Sequence, residues 1–139
     1  MAVDLTSPSI GINRETGRVL TGWEHVLQSI QDIITTRFGE RTMREWYGST
    51  VPSILGKNIT AATITTFMAA FAAAVEQYEP RVRVVNFSTI DLGRDGRVVM
   101  QMEVNYRPRA TLGDFTVEGA RKVTIAAAQD GRTTVESSA

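Results

Sequence analysis

The sequence predicts an α+β domain: two main helices packed on one face of a three-stranded antiparallel meander, with an extended N-terminal arm. Three observations carry that expectation. Apolar residues recur at helical spacing between positions 21 and 79, and the period changes to strand alternation after Pro80. Pro80 itself must stop the second long helix, because the residue before a proline is pushed out of the α region. The length, 139 residues, suits one core and is short for two. A single unit over 1–139 follows, divided into arm (1–20), helical part (21–79), sheet (80–128) and a polar tail (129–139) expected to fray.

Residues 1–20 show neither period and contain Pro8, Gly11 and Gly17, hence the arm. "TGWE" (21–24) then offers Thr21 as N-cap with Glu24 three residues on, a capping-box pattern. Trp23, Val26, Leu27, Ile30, Ile33 and Ile34 form the apolar stripe of a helix ending near Arg37, with His25, Gln28 and Asp32 on its polar side. "VPSILGKN" reads as one short helical turn closed by Gly56. Thr60 can cap the second long helix, whose stripe is Ile64, Phe67, Met68, Phe71, Val75 and Tyr78. Strands follow at 81–92 and 97–106 around a "GRDG" turn, the second alternating cleanly from Val98 to Tyr106. A third run has Phe115, Val117, Val123 and Ile125 in phase and is interrupted by Gly119 and Arg121, as suits an edge strand over 115–126.

The composition, 42% hydrophobic and 22% charged, is that of a globular protein. Its longest apolar run, "MAAFAAAV", is far shorter than a membrane span of roughly twenty residues, and residues 1–20 show no signal-peptide pattern. Fifteen basic residues balance fifteen acidic ones, so no global field draws nucleic acid. Thirteen of the basic residues are arginine, whose planar fork suits carboxylate pairs at interfaces. Cysteine is absent and His25 is the lone histidine, which excludes a disulfide framework, a thiolate metal site and a Ser–His–acid set; His25 is expected to be a solvated surface residue. "GSTVPSILGKN" lacks phosphate-loop spacing. The candidate carboxylates Glu24, Glu40, Glu45 and Glu79 show no apolar setting of the kind a general acid requires. No catalytic residue, metal or cofactor is expected.

Two stretches stand apart. "TTRFGERTMREWYGS" (35–49) carries Arg37, Arg41 and Arg44 with Trp46 and Tyr47, where a plain connector would be small and polar. Glu79 ends a helix whose dipole disfavours negative charge there, so an arginine should hold it; Arg81 and Arg83 leave the junction on one strand face. Together with Pro80 these residues read as an arginine-rich corner open to a partner, with Trp46 and Tyr47 as its anchors or as closers of the core.

The ordered set Gly17, Gln28, Ile30, "TRFGER" (36–41), Gly48 and "EPR" (79–81) resembles the baseplate wedge family of contractile-tailed phages, also called lysozyme-like and related to a type VI secretion baseplate component. The resemblance runs from about residue 10 to the third strand and implies a structural protein of the virion tail, assembled in the host cytoplasm. Such a protein joins wedge neighbours and starts sheath polymerisation by adding sheath strands to its sheet. Its implied partners are wedge proteins, the first sheath ring and the tail tube, with multiple copies in a sixfold assembly from a chain that is monomeric alone. The partner-binding set on this reading is Arg41, Arg44, Trp46, Tyr47, Glu79, Pro80, Arg81 and Arg83, with Val123 and Ile125 on the template strand. A distant bacterial branch of the fold, anti-adaptors that bind a response regulator, is the alternative, followed by a muramidase-type enzyme.

Overall fold

Residues 10–21 are not an extended arm. In the computed structural model, which describes residues 9–54, 57–58, 60–128, 130 and 132–138, strands β1 (Ile10–Ile12) and β2 (Val19–Thr21) form an antiparallel hairpin. Its turn is chemically specified: the Asn13 side chain accepts from the backbone N–H groups of Glu15 and Thr16, and Gly17 supplies a φ of +70°. The first eight residues of the expected arm lie outside the described residues.

Helix α1 (Gly22–Thr35) follows with Thr21 as N-cap, although the threonine side chain makes no cap bond. The helix stops slightly before Arg37 because Thr36 turns back: its N–H and its hydroxyl both donate to the Asp32 carbonyl, at 3.2 and 2.7 Å. A short helix α2 (Val51–Ile54) precedes α3 (Ala61–Tyr78), where the Thr60 hydroxyl caps the Thr63 N–H at 3.2 Å. The expected closing residue of α2, Gly56, lies outside the described residues.

Among the described residues the main sheet has four strands, not the expected three. Strands β3 (Val82–Leu92), β4 (Val98–Tyr106), β5 (Gly119–Ala127) and β6 (Thr133–Ser138) pair antiparallel in sequence order. The tail expected to fray is largely β6, with Thr133 and Val135 turned into the core. Asp130 sets up the preceding turn by accepting from the Arg132 N–H, and Ala128 N–H donates to the Arg132 carbonyl. This extra strand moves the edge. The third strand begins at Gly119, pairs with β4 along its length and with β6 over Lys122–Ala127, and buries Val123 and Ile125 completely. Phe115 and Val117 precede the strand and are exposed, so they do not share its inward phase.

Helix α1 lies over β6 and α3 over β3, both on the same sheet face. Between them, Val26, Ile30 and Ile34 meet Phe67, Phe71 and Val75 above the inward row Met100, Met102, Val104 and Tyr106. Each such aliphatic or aromatic side chain contributes roughly 1.5–3 kcal/mol of burial. Trp23 locks β6 to α1: its ring stands edge-on to Tyr106 at 5.1 Å and its N–H donates to the Ser137 hydroxyl.

Candidate functional site

Two fixed corners flank the C-terminal end of α3, and the polar side of α1 holds both. The first is the loop 36–49. Its ends meet where the Ser49 N–H donates to the Thr36 carbonyl at 2.9 Å. Gly48 permits that approach: its φ is +137°, and a Cβ there would sit 2.7 Å from the Thr36 carbonyl oxygen. Inside the loop, Gly39 turns left-handed and donates to the Glu45 carbonyl, while the Glu40 carboxylate accepts the Arg37 N–H at 2.8 Å. The "TRFGER" run is therefore the internal scaffold of a compact loop with closed ends.

Asp32 is the post to which the loop is tied. Its carboxylate takes a charge-assisted bond from Arg41 and accepts from the Tyr47 hydroxyl at 3.1 Å; Arg14 of the β1–β2 hairpin stands 3.7 Å away. Arg41 also covers the Tyr47 ring at 4.5 Å. Burial of the ring, and next the Asp32 charge, push the Tyr47 hydroxyl up to about 12. Tyr47 packs on Tyr78 of α3 at 5.0 Å, and the Tyr78 hydroxyl donates to the Trp46 carbonyl. These contacts leave Trp46, Phe38 and Met43 turned outward, 54%, 52% and 94% exposed. Arg44 lies over the Trp46 and Tyr47 rings at 5.3 and 5.5 Å.

The second corner is "EPR". Glu79 caps the C-terminus of α3 and is 2% exposed; Arg81 is 5% exposed. Their side chains pair as a fork, Nε to Oε1 at 2.6 Å and the second nitrogen to Oε2 at 2.7 Å. The remaining Arg81 nitrogen donates to the Ser9 hydroxyl and lies 3.2 Å from His25 Nδ1. Arg107, at the end of β4, donates to the Pro80 carbonyl at 3.0 Å.

His25 is thus a member of this corner and not a solvated surface residue. Its ring lies against the Gly11 backbone, where a Cβ would come within 2.4 Å of Nε2. Desolvation, then the Arg81 charge, hold its pKa below the ordinary histidine value, against the opposing pull of Glu79. Gln28, one turn along, bonds the hairpin through Ile12 and Arg14. The polar stripe of α1 is an internal clamp.

The residues singled out by sequence therefore separate. Arg44 and Trp46 face outward, Arg41 and Tyr47 build the loop, Glu79 and Arg81 are internal, and Pro80 is exposed. Arg83 does not share the buried setting of Arg81: it lies within β3 on the exposed side, whereas Arg81 precedes the strand. Val123 and Ile125 are core. Asp32, His25, Ser9 and Arg107 join the site without having been marked by any spacing. Among the described residues, no group of three or more His, Cys, Asp or Glu could hold a metal, and no helix is long and apolar enough to cross a membrane.

Fold and site together define an α+β module whose buried polar groups fix loops in place and whose 36–49 loop presents two exposed aromatic residues, Phe38 and Trp46. The chain belongs to the baseplate wedge protein gp25 family, whose model matches residues 21–112. It is 36% identical over 98 residues to baseplate protein W of Escherichia phage P2, covering 70% of this chain and 84% of that protein. The postcontracted baseplate of pyocin R2 contains a chain with 30% identity and a TM-score of 0.61, matched over 70% of this chain and 98% of its own length. A tail-lysozyme candidate from Geobacter sulfurreducens shares the fold at 22% identity and a TM-score of 0.61, over 80% of this chain and 95% of the other. At that identity the likeness concerns the fold alone.

Proposed function

We propose that this protein is a structural component of a contractile-tail baseplate, located in the virion, that joins wedge neighbours through its 36–49 loop and starts the sheath by strand addition. The observation that carries the wedge-joining half is the loop itself. Three large apolar side chains, Phe38, Met43 and Trp46, stand exposed on a segment whose backbone ends meet and whose Arg41 and Tyr47 side chains are held by Asp32. A preorganised apolar surface loses little entropy when it docks.

Strand addition falls to the outer edges of the sheet, because β5 already has two neighbours. Strand β3 carries two register shifts and the exposed side chains of Val85, Ile90 and Leu92; β6 is short and regular. Either edge offers unpaired backbone groups to an extended segment. The role is assembly and not catalysis. Glu24, Glu40 and Glu45 are exposed, and the buried Glu79 is neutralised by Arg81, so none has the apolar setting of a general acid.

Complementation of particles lacking the protein tests this reading. Trp46→Ala should block baseplate formation, while photo-crosslinkers at Ser88 of β3 or Glu136 of β6 should capture the first sheath ring from one edge. Full-length sheath on normal baseplates in Trp46→Ala, with no sheath adduct at either edge, would contradict it. Peptidoglycan cleavage that disappears in Glu24→Gln, Glu40→Gln or Glu45→Gln would replace the assembly role with the enzymatic one.

A further inference from the structure

The surface between the 36–49 loop and the end of α3 is concave and lined by Phe38, Arg44, Trp46, Tyr47, Gln77 and Tyr78. Its polarity is one-sided. The Tyr47 and Tyr78 hydroxyls donate inward, to Asp32 and to the Trp46 carbonyl. What remains for an occupant is the Arg44 guanidinium, the Trp46 indole N–H and the Gln77 amide, none of which makes a side-chain hydrogen bond among the described residues. Arg44 makes no ion pair among the described residues either, and Asp32 is taken by Arg41 and Arg14. A guanidinium centred 5.3 and 5.5 Å from the two ring centroids, with no side-chain hydrogen bond among the described residues, can offer its planar N–H fork to a carboxylate.

A backbone outlier adds to this. Met43 at the loop tip is the one non-glycine among the described residues with positive φ, +64°, and it is 94% exposed. A left-handed methionine is strained in isolation, and such strain gathers where a side chain is presented. Phe38 and Trp46 give the concavity an apolar lining around a single cation, Arg44, and Met43 stands exposed beside that arginine in the chain.

We infer that the concavity receives an extended segment of a neighbouring wedge protein that carries a carboxylate close to a bulky apolar side chain. The carboxylate pairs with Arg44, and the apolar group lies on Trp46 and Phe38. A phosphate polymer is a poor match, since one arginine ringed by aromatic residues offers no row of cations and the chain has no net charge. The inference rests on the wedge-joining reading and names the chemistry of its partner.

The test uses whole particles with benzoylphenylalanine in place of Phe38. Baseplates are purified, irradiated, and the adduct is sequenced by mass spectrometry. The expected adduct is a wedge-protein segment with Asp or Glu adjacent to the captured residue. Arg44→Glu should reduce the adduct by more than about tenfold. Arg44→Lys, which keeps the charge without the flat fork, should reduce it less, and a compensating carboxylate-to-lysine change in the partner should restore it with Arg44→Glu. An adduct with a second copy of this chain, with sheath, or with a segment lacking an acid would overturn the inference, as would no adduct from baseplates that contain the protein. Wild-type baseplates that lack the protein altogether would instead remove the wedge reading beneath it.

Discussion

Replacing Arg81 by methionine leaves the Glu79 carboxylate inside the protein without its counter-charge. The two side chains are 6% and 3% exposed and joined through both carboxylate oxygens, so water cannot substitute for the lost partner. Breaking such a buried pair from one side costs about 3–5 kcal/mol. For a domain of this size that corresponds to a fall in Tm of roughly 10–20 °C. Glu79→Leu should cost a similar amount, because it strands a buried guanidinium. The double variant Glu79→Leu/Arg81→Met removes both charges together and should be no less stable than the worse single variant. The cycle then yields a coupling of at least about 3 kcal/mol, read from urea midpoints at constant m. Single variants whose costs add within about 0.5 kcal/mol would refute the idea that the pair works as a unit.

Three further outcomes follow from the same contacts. Gly48→Ala places a Cβ 2.7 Å from the Thr36 carbonyl in a φ of +137° and should cost about 2 kcal/mol or more, seen as a lower urea midpoint. Asp32→Ala releases Arg41 and Tyr47 together, so amide exchange across residues 37–48 should quicken by at least about tenfold while the sheet stays protected. His25 has a lowered folded pKa, so the unfolded chain binds its proton more readily; stability should be full above the ordinary value of 6.5 and decline as pH falls below it. That pH dependence should flatten in His25→Asn.

Much of the fold was legible because periodicity reports burial. The α1 stripe from Val26 to Ile34 and the β4 row from Met100 to Tyr106 are buried as their spacing required. Strand β6 was missed because "TTVESS" is short and polar; Asp130-Gly131, a hairpin signal, marked the turn but only Thr133 and Val135 supply an inward face. Missing that strand is what turned the interior β5 into an expected edge. The hairpin at 10–21 likewise has three-residue strands, too few for a period to show.

The site divided along a similar line. A helix-terminal glutamate beside arginines announces a pair, since its local electrostatics are unfavourable alone, and Glu79 finds Arg81. His25 and Asp32 carry no such local sign. Their positions on the polar side of α1 match those of solvated residues, and only the return of the arm and the loop onto that side encloses them. Trp46 and Tyr47 are adjacent in sequence yet serve differently, because Asp32 and Tyr78 hold Tyr47 inward and leave the Trp46 indole outside.

A cryo-EM reconstruction of the assembled baseplate of the particle that carries this protein tests the central claim most directly. The account predicts this chain in each sixfold-related wedge, with Phe38, Arg44 and Trp46 buried against a neighbouring wedge protein and a sheath strand continuing the sheet beyond β3 or β6. A baseplate without the chain, or one in which the 36–49 loop faces solvent and both sheet edges stay unpaired, would contradict it.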